Sequence, residues 1–264
     1  MFLKNDWSTY IHTIRKEEIK RAFSLIPVKK FNNGIEFGAG DGYQTTLIEP
    51  MCSKFVSSDL NFKRLKDEFK IIGVDYKAYD ADALSGMFNS GIFDLIFSSN
   101  LIEHLSNKKI FLQNTRKMLS FDGYVIHIVP GRMLKITYLL LFYPNLLLLF
   151  ADRLIGIFKK KPIFRGTTNN FENNINLNKV NKINKWKRIF LPQIHGNYKT
   201  HIEEWQSWSK NSWQKLFEDS GYAIMSCIKG PAVSGYGFGW NHLRNMLEKL
   251  GWASEYIFIL KNNH

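Results

Sequence analysis

The sequence predicts an α/β fold, a largely parallel sheet with helices on its faces, and three observations carry that expectation. From about residue 33 to 129, short apolar runs alternate with amphipathic stretches, the pattern left by buried strands joined through crossover helices. The first of those runs opens into "GIEFGAGDG" (34–42), where Gly38, Gly40 and Gly42 occupy alternate positions beside Glu36. Two helix-then-strand units then close the chain.

The elements follow in order. The strands are expected at "GIEFG", "KFVSSDL", "DYKAYD", "FDLIFSS" and "GYVIHIV", with helical segments between them. "KKIFLQNTRKML" (108–119) sets Phe111, Thr115 and Met118 on one helical face, and "FDG" is expected to end it. The alternation stops at Pro130. Residues 133–157 are strongly apolar but contain Lys135, Pro144, Asn145 and Asp152, so each uninterrupted run is short for a bilayer and a helix-turn-helix lid or re-entrant hairpin is expected. "FKKKPIFR" and the Asn/Lys/Ile-rich 169–188 continue this surface insertion. "EEWQSWSKNSWQKLFEDSGYAIMSCI" reads as a helix closed by Gly221 and then a strand, and "WNHLRNMLEKLGWASEYIFILK" repeats that order.

With 264 residues, 45% of them hydrophobic, the chain is read as one domain (1–264) in which 131–200 form an insertion covering the substrate site. Cys52 and Cys227 lie far apart, which speaks against a disulfide framework or a cysteine-built metal site. The first residues lack the apolar core and cleavage site of a secretory leader, so a cytoplasmic location is expected. A formal net charge of +13 calls for acidic partners: nucleic acid, an anionic membrane, or a substrate with phosphate or carboxylate. Because the basic residues are scattered and no RNA-binding module is recognisable, specific nucleic-acid binding ranks below a small acidic substrate.

The glycines let backbone approach a ligand closely at a strand-to-helix turn. A dinucleotide GxGxxG would need glycine where Tyr43 stands, and the spacing here is ExGxGxG. "EFGAGDG" instead resembles the first motif of class I S-adenosylmethionine-dependent methyltransferases. "VSSDL" is similar to the segment whose acidic residue takes the ribose hydroxyls, and "YDADAL" to the one that meets adenine, with Asp80 fitting better than Asp82. "FDLIFSSNLIEHL" resembles the fourth-strand motif of the type 11 subgroup. The resemblance spans about residues 30–130 and, more loosely, the last two helix-strand units. It implies a Rossmann-like, doubly wound seven-stranded sheet with an antiparallel last strand, a helical insertion after strand five, and S-adenosyl-L-methionine as cofactor. The implied cofactor residues are Glu36, Phe37, Gly38, Ala39, Gly40, Gly42, Gln44 and Thr45, then Asp59, Leu60, Asp80, Ala81, Ser98, Ser99 and Asn100. That set suits the cofactor's chemistry, which asks for close backbone approach, a carboxylate for vicinal hydroxyls and a polar adenine contact.

Methyl transfer to a hydroxyl or amine needs alignment and a base. His104 is the first candidate, after strand four; His195, in "LPQIHGNYKTHIEEW", is the second, because polysaccharide-cluster methyltransferases look similar at this His-Gly pair. His127 is the third, although its place on strand five suits packing better, and His201 is weaker still. Some quinone-precursor methyltransferases bind a divalent metal through Glu-x-x-Glu-His; Asn100 replaces the first glutamate here, so no metal is expected. The expected acceptor is a nucleotide-linked, phosphorylated or lipid-linked sugar of capsule or lipopolysaccharide synthesis, methylated on oxygen or nitrogen, with "SGYGFGW" (234–240) as a ring-stacking wall. Lipid- or quinone-type substrates, nucleic acid, and a non-catalytic membrane-associated scaffold are the alternatives. The 133–157 segment either contacts the inner membrane face or buries its leucines in protein, and the usual fate of leucine favours the second.

Overall fold

The computed structural model describes residues 6–83, 89–159, 192–238 and 240–263, with side chains of 152–159 left aside. Helix α1 (Trp7–Ser24) starts at Asp6, whose carboxylate accepts from Thr9 N; nothing in the apolar pattern had marked it. Strand β1 (Phe31–Phe37) leads through the glycines into α2 (Tyr43–Ile48), followed by β2 (Cys52–Asp59), β3 (Asp75–Ala78) and β4 (Phe93–Ser99). Then come α3 (Lys108–Met118), β5 (Leu119–Pro130) and α4 (Arg132–Lys159). The remainder is α5 (His201–Ser207), α6 (Lys210–Asp219), β6 (Tyr222–Lys229), α7 (Asn241–Lys249) and β7 (Glu255–Asn262).

The strands form one seven-stranded sheet in the order β3-β2-β1-β4-β5-β7-β6. β1 through β5 pair in parallel, while β7 runs antiparallel between β5 and β6. Parallel neighbours need crossovers, and these put apolar residues on both sheet faces. On one face Ile35, Ile96, Val125 and Phe258 pack with Phe111 of α3 and Phe217 of α6; on the other Leu95, Phe97, Ile126 and Ile257 pack with Ile19 and Ala22 of α1.

Local chemistry sets the boundaries. Ser209 caps α6 by accepting from Ser212 N, and Gly221, at φ +89°, ends it. Phe111, Thr115 and Met118 are buried together on α3 as the periodicity requires. The helix stops one residue early, however, and "FDG" lies inside β5, where a register shift opposite Phe93 and Leu95 absorbs it.

The largest difference concerns the insertion. Instead of two helices around a turn, α4 is one helix that runs through Pro144 and Asn145. Arg132–Ala151 is by length and composition apolar enough to cross a membrane, so the interruptions do not shorten the run as expected. Lys135 does not break it either, because its ammonium is buried against Glu204 of α5. The 169–188 stretch lies outside the described residues.

Candidate active site

The glycine loop follows directly from β1. Gly38, Gly40 and Gly42 adopt φ of +79°, +61° and +89°, a region costly for residues with a Cβ. Two donors from this loop, Gly38 N and Ala39 N, converge on Ser58 O at 2.8 and 3.0 Å, which pins the loop to the end of β2. A side chain on Gly42 would strike Leu65, whereas the space above Gly40 is open out to the Arg64 guanidinium. The loop is therefore closed underneath and clear on top, a cradle for a ligand.

Asp59 ends β2 beside that cradle. Its Oδ2 accepts from Gly40 N at 2.9 Å and its Oδ1 from Asn61 N at 2.8 Å, so one carboxylate joins the glycine loop to the next turn and keeps lone pairs for hydroxyls. The cap of that turn is Asn61, which accepts from Lys63 N. Leu60 projects into solvent at 70% exposure, an apolar platform placed where a base can lie. Asp80 is exposed while Asp82 is consumed by Ser106 N and Asn107 N, and this geometry favours Asp80 of the two; Ala81 lies half-buried between them.

Several expected cofactor contacts turn inward instead. Thr45 is fully buried and spends its hydroxyl on Glu36 Oε2 (2.5 Å) and Ser57 Oγ (3.0 Å), so it holds Glu36 and cannot reach a ligand. Phe37 packs edge-on against Phe111 in the core. Ser98 Oγ meets His127 Nδ1 at 2.8 Å in the helix layer, with His127 stacked on Phe217. Alternation along β4 and β5 thus removes both Ser98 and His127 from the site, and burial pushes His127 down to about 3, leaving it neutral. Glu36 is pushed up to about 7 by burial, and by Asp59 and Asp41, against the Thr45 bond. Gln44 is also buried, with its Nε2 lacking a hydrogen-bond partner.

Beyond the ends of β4 and β5 lies a cavity of about 90 Å³ lined by Asn100, Glu103, His104, His195, Arg15 and Glu255, with Trp7, Tyr138 and Trp208 among its walls. Two of the three expected histidines thus meet, although 91 residues separate them in sequence. Gly196 explains how: at φ +73° it presses its backbone onto Glu103 O, where any side chain would collide, and Asn197 N donates to that same carbonyl. His195 is stacked on Tyr138 and its backbone N donates to Glu204 Oε1. His201 ends on Glu204 as well, outside the cavity lining. α1 ties this cavity to the cradle, because His12 on the same helix as Trp7 and Arg15 bonds Asp41 of the glycine loop at 2.8 Å.

The electrostatics of the cavity were not legible beforehand. Glu103 is 3% exposed, and its Oε2 lacks a hydrogen-bond partner. Burial raises its carboxyl to about 7, against the pull of Arg15, His195 and Lys108. Burial lowers His104, and His195, Lys108 and Arg64 push the same way, so the ring is neutral at pH 7 although half its side chain meets solvent. Arg15 donates to Glu18 at 2.8 Å and to Ser99 Oγ at 2.9 Å, and lies 3.7 Å from Glu255. Asn100, held at φ +48°, donates to Glu255 Oε1. Glu255 is raised by burial and by Glu18. Among the described residues no three His, Cys, Asp or Glu stand together to hold a metal ion. A larger cleft, about 480 Å³ at Arg21, Lys229 and Trp252, shares no wall with either half of this site.

A family model described as "Methyltransferase domain" matches residues 10–226. The chain belongs to that family. Its fold is that of S-adenosylmethionine-dependent methyltransferases: one from Mesorhizobium loti aligns at TM-score 0.56 and 12% identity over 93% of this chain and 98% of its own. The N-methyltransferase NodS of Bradyrhizobium japonicum, in complex with S-adenosyl-L-homocysteine, aligns at 0.53 and 12% over 99% and 95%. A chain of the Haloferax volcanii complex between the Trm112 methyltransferase activator and its methyltransferase partner aligns at 0.58 and 12% over 99% and 98%. No curated protein matches the sequence. The open cradle at Gly40, with Asp59 and exposed Leu60 beside it, fits a nucleoside such as S-adenosyl-L-methionine, whose sulfonium would supply an electrophilic methyl group.

Proposed function

We propose that this methyltransferase methylates an oxygen or nitrogen of a sugar-type acceptor, seated in the cavity where Glu103, His104 and His195 converge. The observation that carries the reading is the buried, unpartnered Oε2 of Glu103 in that cavity. A carboxyl near 7 is matched to taking a proton from a hydroxyl or ammonium at neutral pH. The His104 ring, half open to solvent, offers a hydrogen bond that orients the acceptor, and His195, Tyr138 and Trp208 give the aromatic lining against which a sugar ring can pack. Tyr236, from "SGYGFGW", supports this wall by packing on Tyr138 and donating to its carbonyl.

The charge pattern narrows the acceptor. Glu103 and Glu255 line the cavity together with Arg15, whereas Arg64 and Lys108, outside its lining, are near enough to act on His104. Hydroxyls or an amine inside and a phosphate outside fit that division, as in a nucleotide-linked, phosphorylated or lipid-linked sugar, the class implied by the His-Gly resemblance to cell-surface polysaccharide enzymes. The fold shared with NodS, an N-methyltransferase, keeps the amine reading beside the hydroxyl one. Incubation with labelled S-adenosylmethionine and panels of nucleotide sugars and lipid-linked sugars tests the reading; label entering the sugar is expected, and label entering only RNA or protein would sink it.

A further inference from the structure

We infer that α4 lies in the surface of an anionic lipid bilayer and brings the cavity to an acceptor that carries an apolar tail. The inference deepens the methyl-transfer reading and rests on it for the acceptor, but the lipid contact itself does not.

The helix divides in two. Its first turns belong to the globule: Leu134 and Lys135 are buried, and Leu134 and Tyr138 line the cavity. From Leu139 to Ala151 no charged side chain occurs, and the surface is open. Leu139, Tyr143, Leu146 and Phe150 recur at helical spacing, flanked by Leu140 and Leu147; the last two and Phe150 are 63%, 68% and 61% exposed. Soluble surfaces rarely leave so continuous an apolar face in water.

Charge and length identify the occupant. The sequence after this stretch carries Lys159, Lys160, Lys161 and Arg165, and the whole chain is at +13. Such charge attracts an anionic lipid surface and repels a second copy. A partner helix would cover only part of the exposed stripe from Leu139 to Phe150, whereas a lipid surface takes all of it. Residues 139–151 make about 20 Å of helix at ~1.5 Å per residue, short of the roughly 30 Å hydrocarbon core, so this part of the helix rests in one leaflet. The cavity wall formed by Tyr138 then stands one turn from the lipid. A head group can enter while its tail stays in the bilayer.

Flotation of the full chain with phosphatidylcholine vesicles, with and without phosphatidylglycerol, tests this. The chain is expected to float with the anionic vesicles, and added salt should weaken the association. The exposed double variant Leu140→Glu, Leu147→Glu should bind vesicles on the order of a hundredfold more weakly, since burying each leucine contributes about tenfold or more. Its affinity for S-adenosylhomocysteine, read by calorimetry, should stay unchanged, which shows that the variant is folded. A wild-type chain that remains in solution overturns the inference, and so does a double variant that floats equally well. A dimer in sedimentation velocity that the double variant splits, with no flotation, would assign the stripe to a second copy instead. Failure of the wild-type chain to bind S-adenosylhomocysteine would remove the methyl-transfer reading alone, because flotation needs no cofactor.

Discussion

The two halves of the site are built in different ways. The cofactor cradle comes from one continuous stretch, Gly38 to Asp59, and its conformation is dictated by three positive-φ glycines and two strand ends. The acceptor cavity is assembled from seven separated pieces: α1, the 100–104 turn, the end of β5 with the first turns of α4, the His195 loop, Trp208 between α5 and α6, Val233 after β6, and the start of β7. The difference teaches where chemistry can hide from local patterns. A cradle made of backbone leaves a spacing in the sequence, whereas a cavity made of long-range neighbours leaves scattered polar residues that resemble any others.

The sharpest way to break this division is through the acceptor half alone. Glu103→Gln keeps the volume of a side chain that is 3% exposed and removes the proton acceptor. Turnover is expected to fall about a thousandfold, within the range for a lost general base, while S-adenosylhomocysteine binding is unchanged. The pH profile sharpens the assignment: a base must be ionised, so wild-type activity should rise as pH climbs through about 7, and that limb should vanish in the variant. A retained limb would move the role to another group.

A smaller effect separates a structural carboxylate in the cradle from a ligand contact. Glu36 holds its proton more tightly folded, at about 7 rather than 4.5, chiefly because it is buried. A raised folded value means that its contribution to stability is present below about 4.5 and is lost as pH rises through about 7. Glu36→Gln abolishes that titration and should melt higher than wild type at pH 8, by at most roughly 3 kcal/mol, with the advantage gone at pH 4.5. Thermal melts across this range check it; parallel curves for the two proteins would refute the assignment.

The smallest change expected is in the cradle's ligand contact. Asp59→Asn keeps an oxygen for Gly40 N, gives up the acceptor for Asn61 N at the part-buried turn, and loses the charge offered to hydroxyls. S-adenosylhomocysteine affinity should drop about thirtyfold, roughly 2 kcal/mol, with the melting temperature little moved. Equal affinity in calorimetry would leave Asp59 as a loop tie only.

Most of the sheet was legible because strands buried on both faces print apolar runs, and crossover geometry then leaves few topologies. α1 was missed because its buried residues, Tyr10, Ile14, Glu18, Ile19 and Ala22, include a glutamate whose pairing with Arg15 hides the apolar face. Thr45 and Ser98 follow from motif position, yet α2 turns Thr45 inward onto Glu36 and the pleat of β4 sends Ser98 into the packing layer, where it meets the His127 that strand position already suited to packing. The leucine-rich insertion was read as broken because proline usually ends a helix, and here the helix continues past it.

By itself, then, the sequence determined the strands of the sheet and the glycine turn after the first of them, since these depend on residues close in the chain and on allowed backbone angles, whereas the bond that ties Asp59 to that turn came from the structure. Only the tertiary structure decided that Glu103, His104 and His195 share one cavity, that Glu103 is left buried without a partner, and that α4 carries its leucines outward. Burial and long-range proximity are properties of the packed whole, and the desolvation that raises Glu103 exists only once α1, the His-Gly loop and β7 have closed around it.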